Sequence, residues 1–456
     1  MVTESPSVPR RSRSFAAVSV ALFERWMPDA LILAVGLTAL VALAAALVAP
    51  MGTLPVILTS WYAGLFGILG FAFQMILVLV TGHALAHSPL VQLSLKALVR
   101  VVKTPNKAVV ATFLTAALAS WINWGFGLVV GAVLAREIAK DVRVDFAWLV
   151  AAAYSGFVIY ASGPSGSIPL SQASPGNALN IVEKITGRIV PYSDSIFGMF
   201  NVVPTLLVVI IMPFVLIWLR PRDEEMQPFK PPPESAAPPP PRAEPGTALS
   251  LTRRIERSPA GSLFLVAAGV GYLIVQAQAG SLSVDINLVI FLFLIAGLLL
   301  HGSPLNYADA VKNAARQTGS MMLQYPIYGG IMGIMTATGL AEQISRSIAT
   351  AASAHTLPIL SFISSIFISL IIPSGGGHWA VQGPFTIPAA VELNASIPAS
   401  TMAVAMGEEV ANMLQPFWAL PLVAIAGIGI QRVLGFTVVT FFVSTLVYGA
   451  ALLFLI

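Results

Sequence analysis

Two adjacent carboxylates, Glu408 and Glu409, lie inside an apolar run that begins near Ser400. An ionisable residue within a membrane span is costly and marks a functional position. Neighbouring residues on a helix point about 100° apart, so at most one of the two is expected to face a cavity. Glu408 precedes Asn412 by four residues and Pro416 by eight, and so shares a helix face with the end of the run. It is the candidate proton carrier, with Glu409 as the alternative if the helix is rotated. His378 is a further group able to take up a proton or meet a carboxylate.

His378 ends the glycine tip of a second chemical stretch, IIPSGGGHWAVQGPF from Ile371 to Phe385. Three glycines leave backbone N–H and C=O groups open. At membrane depth such backbone is tolerated only inside protein or beside a water-filled cavity. A re-entrant hairpin is expected, its tip formed by Ser374, Gly375, Gly376, Gly377 and His378. A partner tip, Asn123, Trp124 and Gly125, lies in INWGFGLVVG, residues 122–131. Two apolar spans are also interrupted, one at Ser162, Gly163 and Ser165 and the other at Asn412 and Gln415. Half-helix N-termini at such breaks offer N–H donors and a positive dipole end to a carboxylate. The blander alternative is that these side chains only satisfy broken helices. No Lys or Arg is expected at the midplane, and Trp121, Trp124, Phe126, Trp379, Phe385, Phe417 and Trp418 surround the tips and breaks. That pattern favours a small monoanion with an apolar tail.

These stretches recur in register. At a shift of 252, Gly125 and Gly131 fall on Gly377 and Gly383, and Pro164 and Pro169 fall on Pro416 and Pro421; Pro105 and Pro358 correspond with a one-residue slip. Gly/Pro-interrupted apolar segments at matching positions of two halves point to the binding site of a secondary transporter.

The composition agrees. The chain is 57% hydrophobic and 10% charged, with mean hydropathy +0.84, where a soluble domain carries about 25% charge. These values indicate an all-α polytopic membrane protein. Without cysteine there is no disulfide, thiolate nucleophile or Cys metal site, and no His/Glu cluster has zinc spacing. The net charge of +4 is carried by loops, where it orients the chain rather than binding nucleic acid.

Five segments are expected. Residues 1–29 form a basic tail and a short interfacial helix. Residues 30–220 form a first transmembrane repeat, with spans at 31–48, 62–81, 146–170 and 197–219 and a hairpin at 108–135. The loop carrying Lys96, Arg100, Lys103 and Lys107 reads as cytoplasmic, and the polar stretch 171–195 as external. Residues 221–258, with PPP and PPPP, form a cytoplasmic Pro-rich linker. Residues 259–282 add one helix without a counterpart, which inverts the second repeat relative to the first. Residues 283–456 form that second repeat, with its hairpin at 357–391, its broken span at 400–422 and an outer loop around Glu342 and Arg346. The N-terminus is then cytoplasmic and the two hairpins enter from opposite faces.

VTGHALA (80–86), INWGFGLVVGA (122–132), PSGGGHWAVQGPF (373–385) and NMLQPFWALP (412–421) resemble the bacterial short-chain fatty acid transporter family. The resemblance spans nearly all of the chain outside the tail and linker. It implies a carrier of acetoacetate, butyrate and similar acids. Through the ion-transporter superfamily it also implies inverted repeats with two opposed hairpins. The tips here read NWGFG and PSGGGH in place of that superfamily's Ser-Asn-Thr, and no sodium ligand is carried over. The expectation is a multi-pass secondary transporter of short-chain monocarboxylates in the bacterial inner (plasma) membrane. It acts by proton symport without a cofactor or metal; its partners are the substrate and the bilayer, and a homodimer is allowed. The alternatives are a sodium-coupled carrier of lactate or a dicarboxylate, and a membrane hydrolase using Ser374 and His378. The hydrolase lacks an acid with triad logic.

Overall fold

The computed structural model describes residues 30–222, 226–229, 258–282, 284–316, 318–415, 417–426 and 428–456. The tail and interfacial helix expected before residue 30, most of the Pro-rich linker, and Pro416 lie outside the described residues. Every regular element among those described is a helix. The first half contains α1 (Ala30–Val48), α2 (Leu54–Gly67), α3 (Leu69–Ala86), α4 (Pro89–Val101), α5 (Pro105–Ile122) and α6 (Trp124–Asp141). It continues with α7 (Phe146–Ser155), a 3₁₀ turn (Gly156–Ile159), α8 (Ser167–Ala173), α9 (Ile181–Thr186) and α10 (Met199–Trp218). After α11 (Pro259–Gln278), the second half contains α12 (Ile286–His301), α13 (Pro304–Ala315), α14 (Gly319–Ala337), α15 (Leu340–Ala351) and α16 (Leu357–Ile371). It ends with α17 (Gly375–Glu392), α18 (Ile397–Ala411), α19 (Ala419–Ala426) and α20 (Ile430–Phe454). Among the described residues, five helical stretches are long and apolar enough to cross a membrane: 31–48, 54–86, 199–218, 259–278 and 432–454.

Local chemistry sets the boundaries. Proline occupies the first turn of α4, α5, α11 and α13, where its missing N–H costs nothing. Asp145, Asp285 and Ser396 cap α7, α12 and α18 by accepting from the third residue onward. A single extended residue, Asn123, separates α5 from α6. Gly127 then lies against Ser120 and Gly131 against Ala116, so the two arms return antiparallel. In α16 and α17, Gln382 reaches Ser361 and His378 reaches Ser365, which makes a second antiparallel helical hairpin.

The halves are cross-braced. Trp148, in the first turn of α7, donates to Leu216 O near the end of α10 at 2.7 Å. Asp145, fully buried before α7, receives Arg432 Nη2 from the start of α20 at 3.0 Å and the Gln227 N–H at 2.9 Å. At the opposite end, Thr205 of α10 lies 3.4 Å from Tyr448 of α20. Helices α10 and α20 therefore run antiparallel, although they hold matching places in the two halves. The same is true of α7 and α18, since Tyr154 meets Asn412 and Tyr160 meets Glu408. Helix α11 has few buried residues and packs on α12 and α13.

Three sequence expectations change. The span expected at 62–81 is one end of a 33-residue stretch, 54–86, that is interrupted at Ile68. The basic loop after it and the loop around Glu342 are amphipathic helices, α4 and α15, in which Leu95, Val99, Leu340 and Ala341 are buried. Residues 171–195, read as polar, form a partly buried cap. Gln172 donates to Leu179 O at 2.7 Å and accepts from Val182 N at 3.0 Å, while Asn180 donates to Gln172 O and Ser174 O. Burial of these amides is tolerated because each is hydrogen-bonded.

Candidate functional site

The chain between α7 and α8 unwinds over residues 160–166, and the chain between α18 and α19 over residues 412–415 and 417–418. Glu408 and Glu409 end α18, and both are fully buried. The expectation that at most one of them faces inward is therefore corrected: both turn toward the unwound segment of the first half. Glu409 Oε2 accepts from the Ala161 N–H at 2.9 Å and the Ser162 N–H at 3.1 Å, and its Oε1 accepts from Ser162 Oγ at 2.8 Å. Tyr448 stands 3.2 Å from the same serine hydroxyl. Unwinding frees two adjacent backbone donors, and one carboxylate can accept from both because successive N–H groups in a turn conformation point the same way. Glu408 instead receives the Tyr160 hydroxyl and, at 3.1 Å, Asn412 Nδ2. Among the described residues neither carboxylate forms an ion pair with a Lys or Arg.

The other sequence candidates fall into three places. The first tip packs against its own half's break: the Trp124 N–H donates to Ser165 Oγ at 3.0 Å, and a Cβ on Gly163 would stand 2.1 Å from Trp121 O. Asn123 is satisfied there, accepting from Phe126 N and donating to Val78 O. A Cβ on Gly125 would meet Leu79. The second tip crosses to the first half. Ser374 is buried, and Gly375 approaches Tyr160 and Ser167, while Gly376 lies under Phe71 and Tyr325 and Gly377 under Tyr328. His378, fully buried, is turned into the seam between α16 and α17, where Nε2 contacts Gln382 Oε1 and Ser365 Oγ. At the second break, Gln415 donates to Asn412 Oδ1, and Tyr154 donates to Asn412 O at 2.7 Å.

The aromatic residues divide. Trp124 packs edge-on against Trp418, which also meets Phe417 and Phe157. Trp379 donates to Leu179 O and holds the cap formed by residues 171–195. Sequence reasoning missed Tyr154, Tyr160 and Tyr448, whose hydroxyls link the two halves. Among the described residues, the buried polar atoms without a hydrogen-bond partner include Trp124 Nε1, Trp418 Nε1 and Gln415 Oε1. Two donors and one acceptor beside an aromatic cluster are the groups that a small carboxylic acid with an apolar tail can satisfy.

A model of the short chain fatty acid transporter family matches residues 12–455. The chain belongs to that family. It is 39% identical over 425 residues to a candidate short-chain fatty acid transporter of Escherichia coli strain K12, covering 93% of this chain and 95% of that one. A Haemophilus influenzae protein of the same description is 38% identical over 436 residues, covering 94% and 97%. Two solved structures share the fold: the Alcanivorax borkumensis YdaH transporter, with a TM-score of 0.57 at 16% identity over 93% of this chain and 98% of that one, and Neisseria gonorrhoeae MtrF, an antimetabolite efflux pump, with a TM-score of 0.59 at 15% identity over 96% and 97%. The chain is thus a multi-pass membrane transporter, and the hydrolase alternative falls with its family membership.

Proposed function

We propose that this transporter carries short-chain monocarboxylates of the acetoacetate and butyrate type across the bacterial inner membrane together with a proton. The observation that carries this reading is the set of partners around Glu408. It meets a phenol and an amide, both neutral, at the point where the second tip and both breaks come together. A buried acid with neutral partners can hold a proton in one step and release it in another. Glu409, with two backbone donors and a serine hydroxyl, serves as the fixed brace of the first break. The substrate carboxyl meets Trp124, Trp418 and Gln415, and its short tail lies on the rings of Phe157 and Phe417. The other tip and break residues shape this site without touching substrate. No metal or organic cofactor takes part, and lipid covers the exposed apolar faces of α1 and α11.

A cationic counter-charge is missing from this arrangement, and so a second carboxylate on the substrate would be buried unpaired. In reconstituted proteoliposomes, counterflow of labelled butyrate should be competed by acetoacetate and only weakly by succinate. Succinate competing as well as butyrate would sink the monocarboxylate reading.

Topology is part of the same proposal. Residues 30–220 and 283–456 act as inverted repeats, and residues 259–282 supply the odd crossing. The linker and the N-terminus are cytoplasmic, and the hairpins are re-entrant from opposite faces. The antiparallel pairs α7/α18 and α10/α20 support this reading. Because the chain has no cysteine, single cysteines at Lys103 and Glu342 can be labelled with an impermeant maleimide. They should react from opposite sides of the membrane, and labelling from one side contradicts the inversion.

A further inference from the structure

A second concave feature lies apart from the carboxylates. Helices α15, α16 and α17 enclose a cavity of about 1060 Å³, whose rim reaches Val48 at the end of α1. Pockets that bury drug-sized ligands run to about 1,000 Å³, so an acid the size of butyrate would leave most of this one empty. A short link, residues 352–356, joins α15 to α16. The two helices nevertheless splay apart, and each packs on α17. The cavity is the space left between them.

Its lining is unevenly polar. Arg346 is the one charged residue among the described residues that line it. Its Nη2 donates to Glu342 Oε1 at 2.7 Å, one turn back on the exposed face of α15, and Glu342 does not line the cavity. An exposed pair of this kind is weak, and a guanidinium carries five N–H donors, so Arg346 can serve a second anion. On α16 and α17, Ser361 and Thr386 line the cavity and are only 5% and 1% exposed. Neither hydroxyl has a hydrogen-bond partner among the described residues. Ser364 beside them differs, since it donates to Ser361 O and accepts from Gln382 Nε2. Leaving a buried hydroxyl unpaired is costly, and these two mark the place where a ligand supplies the acceptor.

Distance along the helices puts the polar groups near one another. Arg346 lies five residues before the end of α15 at Ala351, and Ser361 lies four residues after the start of α16 at Leu357. At 1.5 Å per residue, both are about 6–8 Å from the link. Thr386 is one turn beyond Gln382, whose Nε2 donates to Ser361 O at 3.0 Å. Farther from the link the lining is apolar, with Leu340 and Ile344 on α15 and Ile363 and Phe367 on α16. Leu340 and Phe367 each stand about 9 Å along their helix from the polar groups. Ile363 and Phe367 are 44% and 65% exposed, so the apolar part opens on the flank of the hairpin.

We propose that this cavity is a binding site for a single-chain carboxylate of medium length, of the decanoate type, taken from the bilayer. The carboxylate accepts from Arg346 and from the hydroxyls of Ser361 and Thr386, and the alkyl chain runs past Ile344 and Ile363 to the open flank. One cation matches one negative charge, and a slim head reaches hydroxyls buried this deeply. A phospholipid brings two chains and a bulkier phosphate head, and an apolar helix of a partner would leave both hydroxyls unpaired. Hydrocarbon surrounds the chain in the bilayer as it does in the cavity, so the tail adds little affinity and the head provides the selectivity. The site is separate from Trp124, Trp418 and Gln415, and its occupation does not depend on which acid is transported.

The test is photolabelling of the full chain in proteoliposomes by a decanoate that carries a diazirine at the end of its chain. Label is expected on α15 and α16. Unlabelled decanoate should displace it, and neither decanol nor excess butyrate should. Arg346→Gln should reduce labelling at least about tenfold, the loss expected when a hydrogen bond to a charged group is removed. Thr386→Val keeps the shape of the side chain, removes the hydroxyl and should also reduce labelling. Ile363→Trp fills the open flank and should exclude the probe, which keeps the test decisive if Thr386→Val does not fold; unchanged elution in detergent identifies the folded variants. Displacement by decanol as effective as by decanoate overturns the site, as does wild-type labelling in Arg346→Gln and Ile363→Trp. Displacement by phosphatidylglycerol and not by decanoate overturns the single-chain assignment. A wild-type protein that carries no butyrate overturns the transport reading alone, because labelling needs no transport.

Discussion

Glu408→Gln should lose pH-driven butyrate accumulation by about a hundredfold, the scale on which a positioned proton-transfer group acts. Exchange of internal for external butyrate should survive. The substitution keeps the size of the side chain and an oxygen for the Tyr160 hydroxyl; it removes the ability to gain and lose a proton and replaces the oxygen that accepts from Asn412 by an NH2 donor. Glu408 is fully buried and meets Tyr160 of the other half, so a change in its protonation is felt by both breaks at once. The measurement is uptake under an imposed pH gradient compared with exchange at equal pH on the same vesicles. Wild-type accumulation in this variant removes Glu408 from the coupling mechanism. Loss of both activities would reassign it to the structure of the site.

The second large effect is expected at Gly163→Ala. An added Cβ would stand 2.1 Å from Trp121 O, a carbonyl in the last turn of α5. The atoms it meets all belong to the Trp121 backbone, and relief requires the first tip and the first break to move apart. Overpacking of this kind costs about 3 kcal/mol. The same movement would also disturb the Ser165 contact to Trp124 and the two N–H donors that hold Glu409. A marked fall in thermal stability in detergent and loss of transport are expected. Gly36→Ala, where nothing lies within 4 Å of the added carbon, should leave both unchanged. A Gly163→Ala protein as stable and active as wild type would show that the tip and break are not rigidly joined.

The parts of the fold that were legible in the sequence are those written in backbone chemistry. Asn123 and Ser374 could be placed at breaks because a local N-cap leaves few other conformations, and the structure interrupts its helices at Asn123 and at residues 372–374; Gly375–Gly377, expected as open tip backbone, instead form the first turn of α17. Helices α4 and α15 were hidden by their charge: Lys96 and Arg100 read as loop, although Pro89 and the spacing of Leu95 and Val99 carry an amphipathic pattern. The cap formed by residues 171–195 was hidden by its polarity, because burial there depends on partners such as Leu179 O and Val182 N that composition does not reveal.

The site itself was half legible. Both carboxylates stood out as ions in an apolar run, but their division of labour could not be read, because it is set by the other half of the chain. Tyr160 lies 248 positions from Glu408, and Ser162 lies 247 positions from Glu409. No local spacing encodes such a pair. Tyr448, which joins Ser162 and Thr205, is a further contact made only when the halves meet.

Proton coupling is tested most directly by uptake of labelled butyrate by the wild-type protein in sodium-free proteoliposomes when a pH gradient is imposed. Accumulation above equilibrium that collapses when a protonophore dissipates the gradient is the predicted result. No accumulation under the pH gradient, with accumulation appearing only on addition of a sodium gradient, would contradict it.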